Sequence, residues 1–173
     1  AYGRLRSLVC SEMCIETEHN AGTQFHRAAT EGLIDTSSSY HIGLRGTTYL
    51  PNGFSRTRGL GYQLITCAEL TDAGIPSVLR NLQQALGGRP VYLCVDMDVF
   101  DPSCAPGVAA PSWGGLSARA GFEFIRGLAG LHLVLAAINT VRPPHDVNGM
   151  TACLADAPLV EFQVLLCSCL ALD

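Results

Sequence analysis

The feature that most constrains the fold is a short apolar segment, Val91–Val95, that leads directly into closely spaced carboxylates. Its length and its β-forming residues predict a buried strand. Asp96 and Asp98 follow, two residues apart, so both side chains would leave the same face of an extended backbone. Asp101 and a loop rich in proline and glycine come next. Open α/β sheets place their ligand sites at the carboxyl ends of strands, so the two aspartates are candidate ligands for a divalent cation. The alternative is that they are loop carboxylates that cap neighbouring backbone.

Strand and helix signals alternate along the chain. Strands are predicted at Leu8–Cys10, Tyr40–Leu44, Tyr62–Cys67, Val91–Val95 and Leu131–Ile138, and helices at Phe25–Leu33, Pro76–Leu86, 117–128 and Thr151–Leu172, the last one interrupted by Pro158. Ser117 is the expected N-cap of its helix. This alternation predicts a three-layer α/β/α fold with a mainly parallel sheet. No linker or repeat divides the chain, so residues 1–173 are expected to form a single domain.

The composition argues against several classes of protein. The chain is 48% hydrophobic and 15% charged, which argues against disorder. Its net charge is −4 and it has no basic run, so nucleic-acid binding is not expected. The longest uncharged apolar stretches, Gly127–Val141 and Phe162–Leu172, are too short or too polar for a transmembrane segment. The eight cysteines favour buried free thiols in a reducing compartment over a disulfide framework, and no signal peptide is evident. We therefore expect an intracellular protein, either mitochondrial or cytosolic.

The loop motif after the strand carries a family resemblance. Asp96, Asp98, Asp101-Pro102, Ala105-Pro106-Gly107, Pro111 and Gly114-Gly115-Leu116-Ser117 follow one another at fixed spacing. This run resembles the signature of the ureohydrolase family, the arginases and agmatinases, and is most similar to agmatinase. The segments 22–35, 42–46 and 143–155 extend the resemblance in both directions. The resemblance implies an arginase-like fold, of which this chain corresponds to the C-terminal part, so we expect an N-terminally truncated version.

The resemblance also implies a metal site. Ureohydrolases hold two manganese ions with carboxylates and histidines, and a metal-bound hydroxide attacks the guanidinium carbon. Asp96 and Asp98 match one ligand pair of the family. The other ligand motif, Asp-Ala-His-x-Asp, has its best counterpart in Glu12, Cys14 and Glu16, where every ligand has changed type. A thiolate favours zinc or copper over manganese, and longer carboxylates displace their oxygens by about 1 Å, which a precise site tolerates poorly.

The residues that correspond to the family's substrate-binding residues have changed as well. The family glutamate that binds the guanidinium corresponds to Thr140, and Arg142 introduces a cation close by. A cationic substrate would lose a charge-assisted hydrogen bond there. His19, in a shifted register, is the candidate for the proton-shuttling histidine of the family.

These departures favour a degenerate, catalytically inactive agmatinase-like protein that serves as a structural or interaction subunit. We expect no cofactor in that case, and Mn²⁺ if the site is functional. The alternatives are an active manganese-dependent guanidino hydrolase and a metal-binding module without turnover. A truncated sheet leaves a strand edge and apolar faces to be covered, so the expected partners are other protein chains, in a homo- or hetero-oligomer.

Overall fold

A parallel sheet lies at the centre of the fold. The computed structural model describes residues 5–10, 23–47 and 52–170, and within them the sheet has five strands. They are β1 (Arg6–Cys10), β2 (Tyr40–Leu44), β3 (Gln63–Thr66), β4 (Val91–Asp96) and β5 (Leu133–Asn139). Their order is β3-β2-β1-β4-β5, and every neighbouring pair is parallel. The predicted parallel sheet is confirmed, with β1 and β4 next to each other in its middle.

Helices cover both faces of the sheet. They are α1 (Gln24–Thr30), α2 (Gly53–Gly59), α3 (Cys67–Ala73), α4 (Ile75–Leu86), α5 (Ala118–Arg126) and α6 (Met150–Leu170). Short 3-10 turns lie at Thr36–Ser38, Met97–Val99 and Pro143–His145. Ser117 caps α5 as predicted, because its hydroxyl accepts a hydrogen bond from the backbone N–H of Ala120 at 3.2 Å.

The apolar residues form two cores, one on each face. Leu93 and Val95 of β4 point into the larger core, where α3, α4, α5 and α6 pack. Cys94, between them, points to the opposite face, where it joins Phe25 of α1 and Tyr62 in a smaller core. This alternation follows from the two-residue period of a strand. The three-layer α/β/α architecture is therefore confirmed.

The sequence predicts no helix where α2 and α3 lie. It also predicts that the third strand runs to Cys67, one residue too far. The strand ends at Thr66, which is the N-cap of α3. The Thr66 hydroxyl accepts from the backbone N–H of Glu69, and the Glu69 carboxylate accepts from the backbone N–H of Thr66. This reciprocal pair is a capping box, whose Thr-x-x-Glu pattern was the available signal for α3.

Helix α6 continues through Pro158, so the predicted interruption is wrong. A proline inside a helix removes one backbone hydrogen bond, and here burial of α6 against β5 and α5 compensates for the loss.

The segment Met150–Cys167 of α6 is long and apolar enough to cross a membrane by length and composition alone, with a mean hydropathy of 1.4. A single helix of this kind is weak support for a span, because core helices of soluble proteins pass the same test.

Five cysteines are free thiols in the structure, and they are not uniformly buried: Cys67, Cys94, Cys104, Cys153 and Cys167. Cys67 and Cys94 are buried, and burial raises the pKa of the Cys67 thiol. Cys153 and Cys167 of α6 are exposed, which corrects the expectation that these two thiols lie in the core.

Candidate functional site

The topology places the predicted site at the point where the strand order reverses. β2 and β3 follow β1 in one direction, whereas β4 and β5 lie on its other side. Ligands of open α/β sheets bind at the carboxyl ends of the strands that flank such a point. Cys10, the last residue of β1, pairs with Val95, and Asp96 comes next. Residues 11–22 follow β1 and lie outside the described part of the chain. The predicted site residues Glu12, Cys14, Glu16 and His19 are among them.

Asp96 and Asp98 lie at the carboxyl end of β4, as predicted, and both are buried. Asp96 ends the strand and is 0% exposed, whereas Asp98 is 7% exposed. The backbone is not extended through both residues, because a 3-10 turn begins at Met97. The expectation that strand alternation sets their common face is therefore wrong, and the turn sets the direction of Asp98 instead.

The end of β5 lies beside Asp96. Asn139 is its partner in the parallel register, and the Asn139 amide donates a hydrogen bond to the Cys94 sulfur at 3.0 Å. The Cys94 thiol in turn lies 3.8 Å from a carboxylate oxygen of Asp96. The buried carboxylate is thus linked through a thiol to an amide, two groups that sequence reasoning did not place in the site.

Thr140 follows Asn139 and contacts the second aspartate. Its hydroxyl accepts a hydrogen bond from the backbone N–H of Asp98 at 3.2 Å, and its carbonyl accepts one from Ala109 at 2.9 Å. Its φ angle is 66°, a left-handed conformation that is unusual for a β-branched residue. The structure therefore brings Thr140 and Asp98 together. Arg142, the cation expected nearby, has an exposed side chain.

Arg45, just after β2, holds the loop that carries Asp98. Its guanidinium donates hydrogen bonds to the backbone carbonyls of Asp98, Phe100 and Ser112, the last two at 3.0 and 2.8 Å. A Cβ atom at Gly115 would lie 2.8 Å from this guanidinium, so the glycine leaves room for it. Sequence reasoning missed this role, since its only signal was the position of Arg45 within a segment that resembles the family.

Asp101, the third carboxylate of the motif, fixes the other end of the same loop. It accepts backbone hydrogen bonds from Ser103 at 3.0 Å, Gly114 at 2.9 Å and Gly115 at 3.3 Å. Hydrogen bonding from Ser103, followed by that from the two glycines, lowers the pKa of Asp101 to about 2. The Asp101 carboxylate thus stabilises the backbone of the loop by accepting its hydrogen bonds.

The proline-glycine part of the motif docks on the start of α6. The backbone N–H of Gly107 donates to the Thr151 hydroxyl at 2.7 Å, and Asp146 accepts from the backbone N–H groups of Thr151 and Ala152. A Cβ atom on Gly107 would lie 2.5 Å from the Cβ of Asp146, so no larger residue fits at position 107.

The described residues do not by themselves make a manganese site. Within the ranges 5–10, 23–47 and 52–170, no group of three or more His, Cys, Asp or Glu side chains could hold a metal ion. Asp96 and Asp98 offer carboxylate oxygens, which manganese prefers, but two residues are too few for an octahedral ion.

Comparison with known proteins decides the family. The family model described as the arginase family matches residues 12–163. The chain belongs to the arginase family. It is 36% identical to the guanidinopropionase of Pseudomonas aeruginosa over 87% of its own length and 48% of the relative's. It is 34% identical to the mitochondrial agmatinase of Gallus gallus, over 90% of its length and 46% of that protein.

Solved structures of the arginase family agree with the fold. A hypothetical agmatinase from Burkholderia thailandensis superposes with a TM-score of 0.85 and 31% identity, over 99% of this chain and 54% of that one. The predicted arginase-like fold is thus confirmed. This arginase-family chain spans about half the length of the curated relatives it matches.

Proposed function

We propose that this chain is an arginase-fold protein that does not hydrolyse guanidino compounds and that works as a structural or interaction subunit with other protein chains. In this proposal residues 1–173 form one domain inside the cell, in mitochondria or cytosol, and need no cofactor. The observation that carries the proposal is Thr140, which stands where the family resemblance expects a glutamate.

Two properties of Thr140 support this reading. It has no negative charge for a guanidinium cation, and its hydroxyl already accepts the backbone N–H of Asp98. Loss of one fixed charged contact typically costs a few kcal/mol of transition-state stabilisation, and each 1.36 kcal/mol is a factor of ten in rate. The changes at Glu12, Cys14 and Glu16 point the same way. A thiolate at Cys14 favours zinc or copper over manganese, and the longer side chains of the two glutamates displace their carboxylate oxygens.

A second candidate function is manganese-dependent guanidino hydrolysis. The observation that favours it is the burial of Asp96 and Asp98 at the carboxyl end of β4, beside the reversal of strand order. The similarity to a guanidinopropionase and an agmatinase also supports it.

Metal analysis together with a urea-release assay separates the two candidates. The purified chain is incubated with Mn²⁺, desalted and analysed for bound metal, and urea is measured with agmatine, arginine, guanidinopropionate and guanidinobutyrate. The Pseudomonas aeruginosa guanidinopropionase is the positive control, and Asp96→Asn is the matched variant of this chain.

We expect less than one bound manganese per chain, and urea release that does not differ between the wild type and Asp96→Asn. Thr140→Glu alone should not produce activity, because it restores the anion and not the metal ligands. Two manganese ions per chain, with urea release that Asp96→Asn abolishes, would establish the hydrolase instead.

A further inference from the structure

Two cysteines from distant parts of the sequence line one open groove, between the amino-terminal ends of α5 and α6. We propose that Cys104 and Cys153 form a reversible redox pair, which hydrogen peroxide converts into a disulfide that fastens the loop after β4 to α6. This inference is independent of the proposed function, since the reaction requires neither a bound metal nor hydrolysis of a guanidino compound.

The groove lies where the two helices begin. One face of α5 borders it, with Ala118 and Phe122 one turn apart. One face of α6 borders it as well, with Met150 and Cys153 three residues apart. Cys104 lies on the same groove, in the turn that follows Asp101. Both thiols therefore border the same unfilled space.

Hydrogen bonds hold the backbone that carries the two cysteines. Gly107, three residues after Cys104, donates its N–H to the Thr151 hydroxyl at 2.7 Å, and Thr151 lies two residues before Cys153 in α6. The backbone N–H of Cys104 donates to the Asp101 carbonyl at 2.9 Å, so the turn has a defined conformation too. The cysteines thus lie on two segments that contact each other directly, as a disulfide requires.

The two thiols differ in accessibility, which sets the order in which they react. Cys153 is exposed, so a peroxide can reach its sulfur. Cys104 is partly buried, and its sulfur lies 3.3 Å from the carbonyl oxygen of Asp101 and 3.8 Å from that of Leu116. Desolvation raises the pKa of the Cys104 thiol, which keeps it protonated at neutral pH. Cys153 is therefore the thiol that the peroxide oxidises, and Cys104 is the thiol that resolves the product.

The reaction has two steps, and each is balanced. The Cys153 thiolate attacks one oxygen of hydrogen peroxide, the O–O bond breaks, and the products are the Cys153 sulfenic acid and, after a proton is taken up, water. The Cys104 sulfur then attacks the sulfenic sulfur, so that the S–O bond breaks and the S–S bond forms. The hydroxyl group leaves as water with the Cys104 proton. Two electrons pass from the sulfurs to the peroxide, and a dithiol reductant reverses the reaction by exchange.

Three other described cysteines are not placed for this reaction. Cys67 and Cys94 are buried. Cys167 is exposed on α6, but it follows Cys153 by fourteen residues, which is about 21 Å along a helix. Disulfides need Cα atoms within about 7 Å of each other. Cys167 is therefore a matched control, because it is an exposed thiol of the same helix that cannot replace Cys153.

The test is peroxide oxidation of the reduced 173-residue chain. The reductant is removed, hydrogen peroxide is added in equimolar amount, and the remaining thiols are alkylated. The chain is then digested with pepsin without reduction, and mass spectrometry identifies linked peptides. Cys153→Ser and Cys104→Ser each remove one member of the pair, and Cys167→Ser is the control. Urea midpoints are measured for every variant before and after oxidation.

We expect a peptide pair joined through Cys104 and Cys153 in the wild type and in Cys167→Ser, and its loss on treatment with dithiothreitol. In Cys104→Ser, Cys153 should remain a sulfenic acid that dimedone traps. Cys153→Ser should fold normally, because the side chain is exposed, and should form no such link. The urea midpoint should rise on oxidation only where the link forms, because the bond constrains the unfolded chain between residues 104 and 153.

Three outcomes would overturn the inference. The first is a link between other cysteines, or between chains, in place of the expected pair. The second is a Cys153 sulfenic acid that persists in the wild type, because Cys104 then does not resolve it. The third is a urea midpoint that oxidation leaves unchanged in the wild type, because the loop is then not fastened to α6.

Discussion

At the scale of single residues, the loop after β4 is held by side chains that bind its backbone. Arg45 donates to its carbonyls, and Asp101 accepts from its amides. Neither contact involves the carboxylates of Asp96 or Asp98. Much of the family motif is therefore explained by the conformation of the loop.

Replacement of Arg45 should loosen this loop. Arg45→Met leaves partly buried carbonyls of Asp98, Phe100 and Ser112 without their charged donor. Hydrogen bonds to charged groups contribute about 1.5–3 kcal/mol each, and these share one guanidinium, so the free energy of unfolding should fall by about 2–4 kcal/mol. Urea denaturation measures the loss. Arg142→Met, at an exposed arginine, is the control and should change little. An equal loss in both variants would contradict the role given to Arg45.

Asp101 should make stability depend on pH in the acid range. Its pKa is lowered to about 2, first by the hydrogen bonding from Ser103. A carboxyl whose pKa is lower in the folded state stabilises the fold above its ordinary pKa of 3.8, and the contribution disappears as the pH falls through about 2. The stability difference between wild type and Asp101→Asn should therefore be largest at pH 5 and shrink towards pH 2. Urea midpoints at several pH values test this, and a constant difference would contradict it.

The residues that could be predicted are those whose position follows from the strand pattern. Asp96 and Asp98 come after an unmistakable buried strand, so their place at its carboxyl end was predictable. Arg45 and Asn139 reach the site from other strands, and only the sheet order and register reveal that proximity. The turn at Met97 was hidden for the same reason, because Arg45, which binds the carbonyls of Asp98 and Phe100, is distant from them in sequence.

At the scale of secondary-structure elements, the helix with a long apolar periodicity was predicted well and the short helices were not. α4 is amphipathic, with Pro76 in its first turn and Gly87 at its end, and its bounds were predicted to within one residue. α2 and α3 have seven residues each, too few to show a period, and α3 depends on its capping box. α6 continues through Pro158 because burial against the sheet outweighs the local cost of the proline.

The capping box of α3 gives a test at this scale. Thr66→Ala removes the hydroxyl that accepts the Glu69 backbone N–H at 3.1 Å. Loss of an N-cap side chain typically costs 0.5–2 kcal/mol, so we expect about 1 kcal/mol in the free energy of unfolding. Thermal or urea unfolding measures it. Gln84→Ala, at an exposed position inside α4, is the control and should cost nothing. A Thr66→Ala variant as stable as the wild type would show that α3 depends on packing alone.

At the scale of the whole molecule, strand pairing and side-chain burial decrease from the centre of the sheet to its edges. β1 and β4 pair on both sides, and Leu8, Leu93 and Cys94 are fully buried. β5 pairs on one side and carries exposed Val134 and Leu135. The predicted site therefore lies on the most protected strands, whereas β5 is one of the least protected.

This gradient should appear in backbone hydrogen exchange of the isolated chain. Amides of Val91–Asp96 are sheltered by neighbouring strands and by two cores, so they should open only with global unfolding and exchange most slowly. Amides of Leu133–Asn139 should exchange at least tenfold faster, because they open with the loss of a single strand pairing. Exchange followed by mass spectrometry resolves the two segments. If β5 proved as protected as β4 in the isolated chain, its edge would already be covered, and the gradient would not follow from strand order.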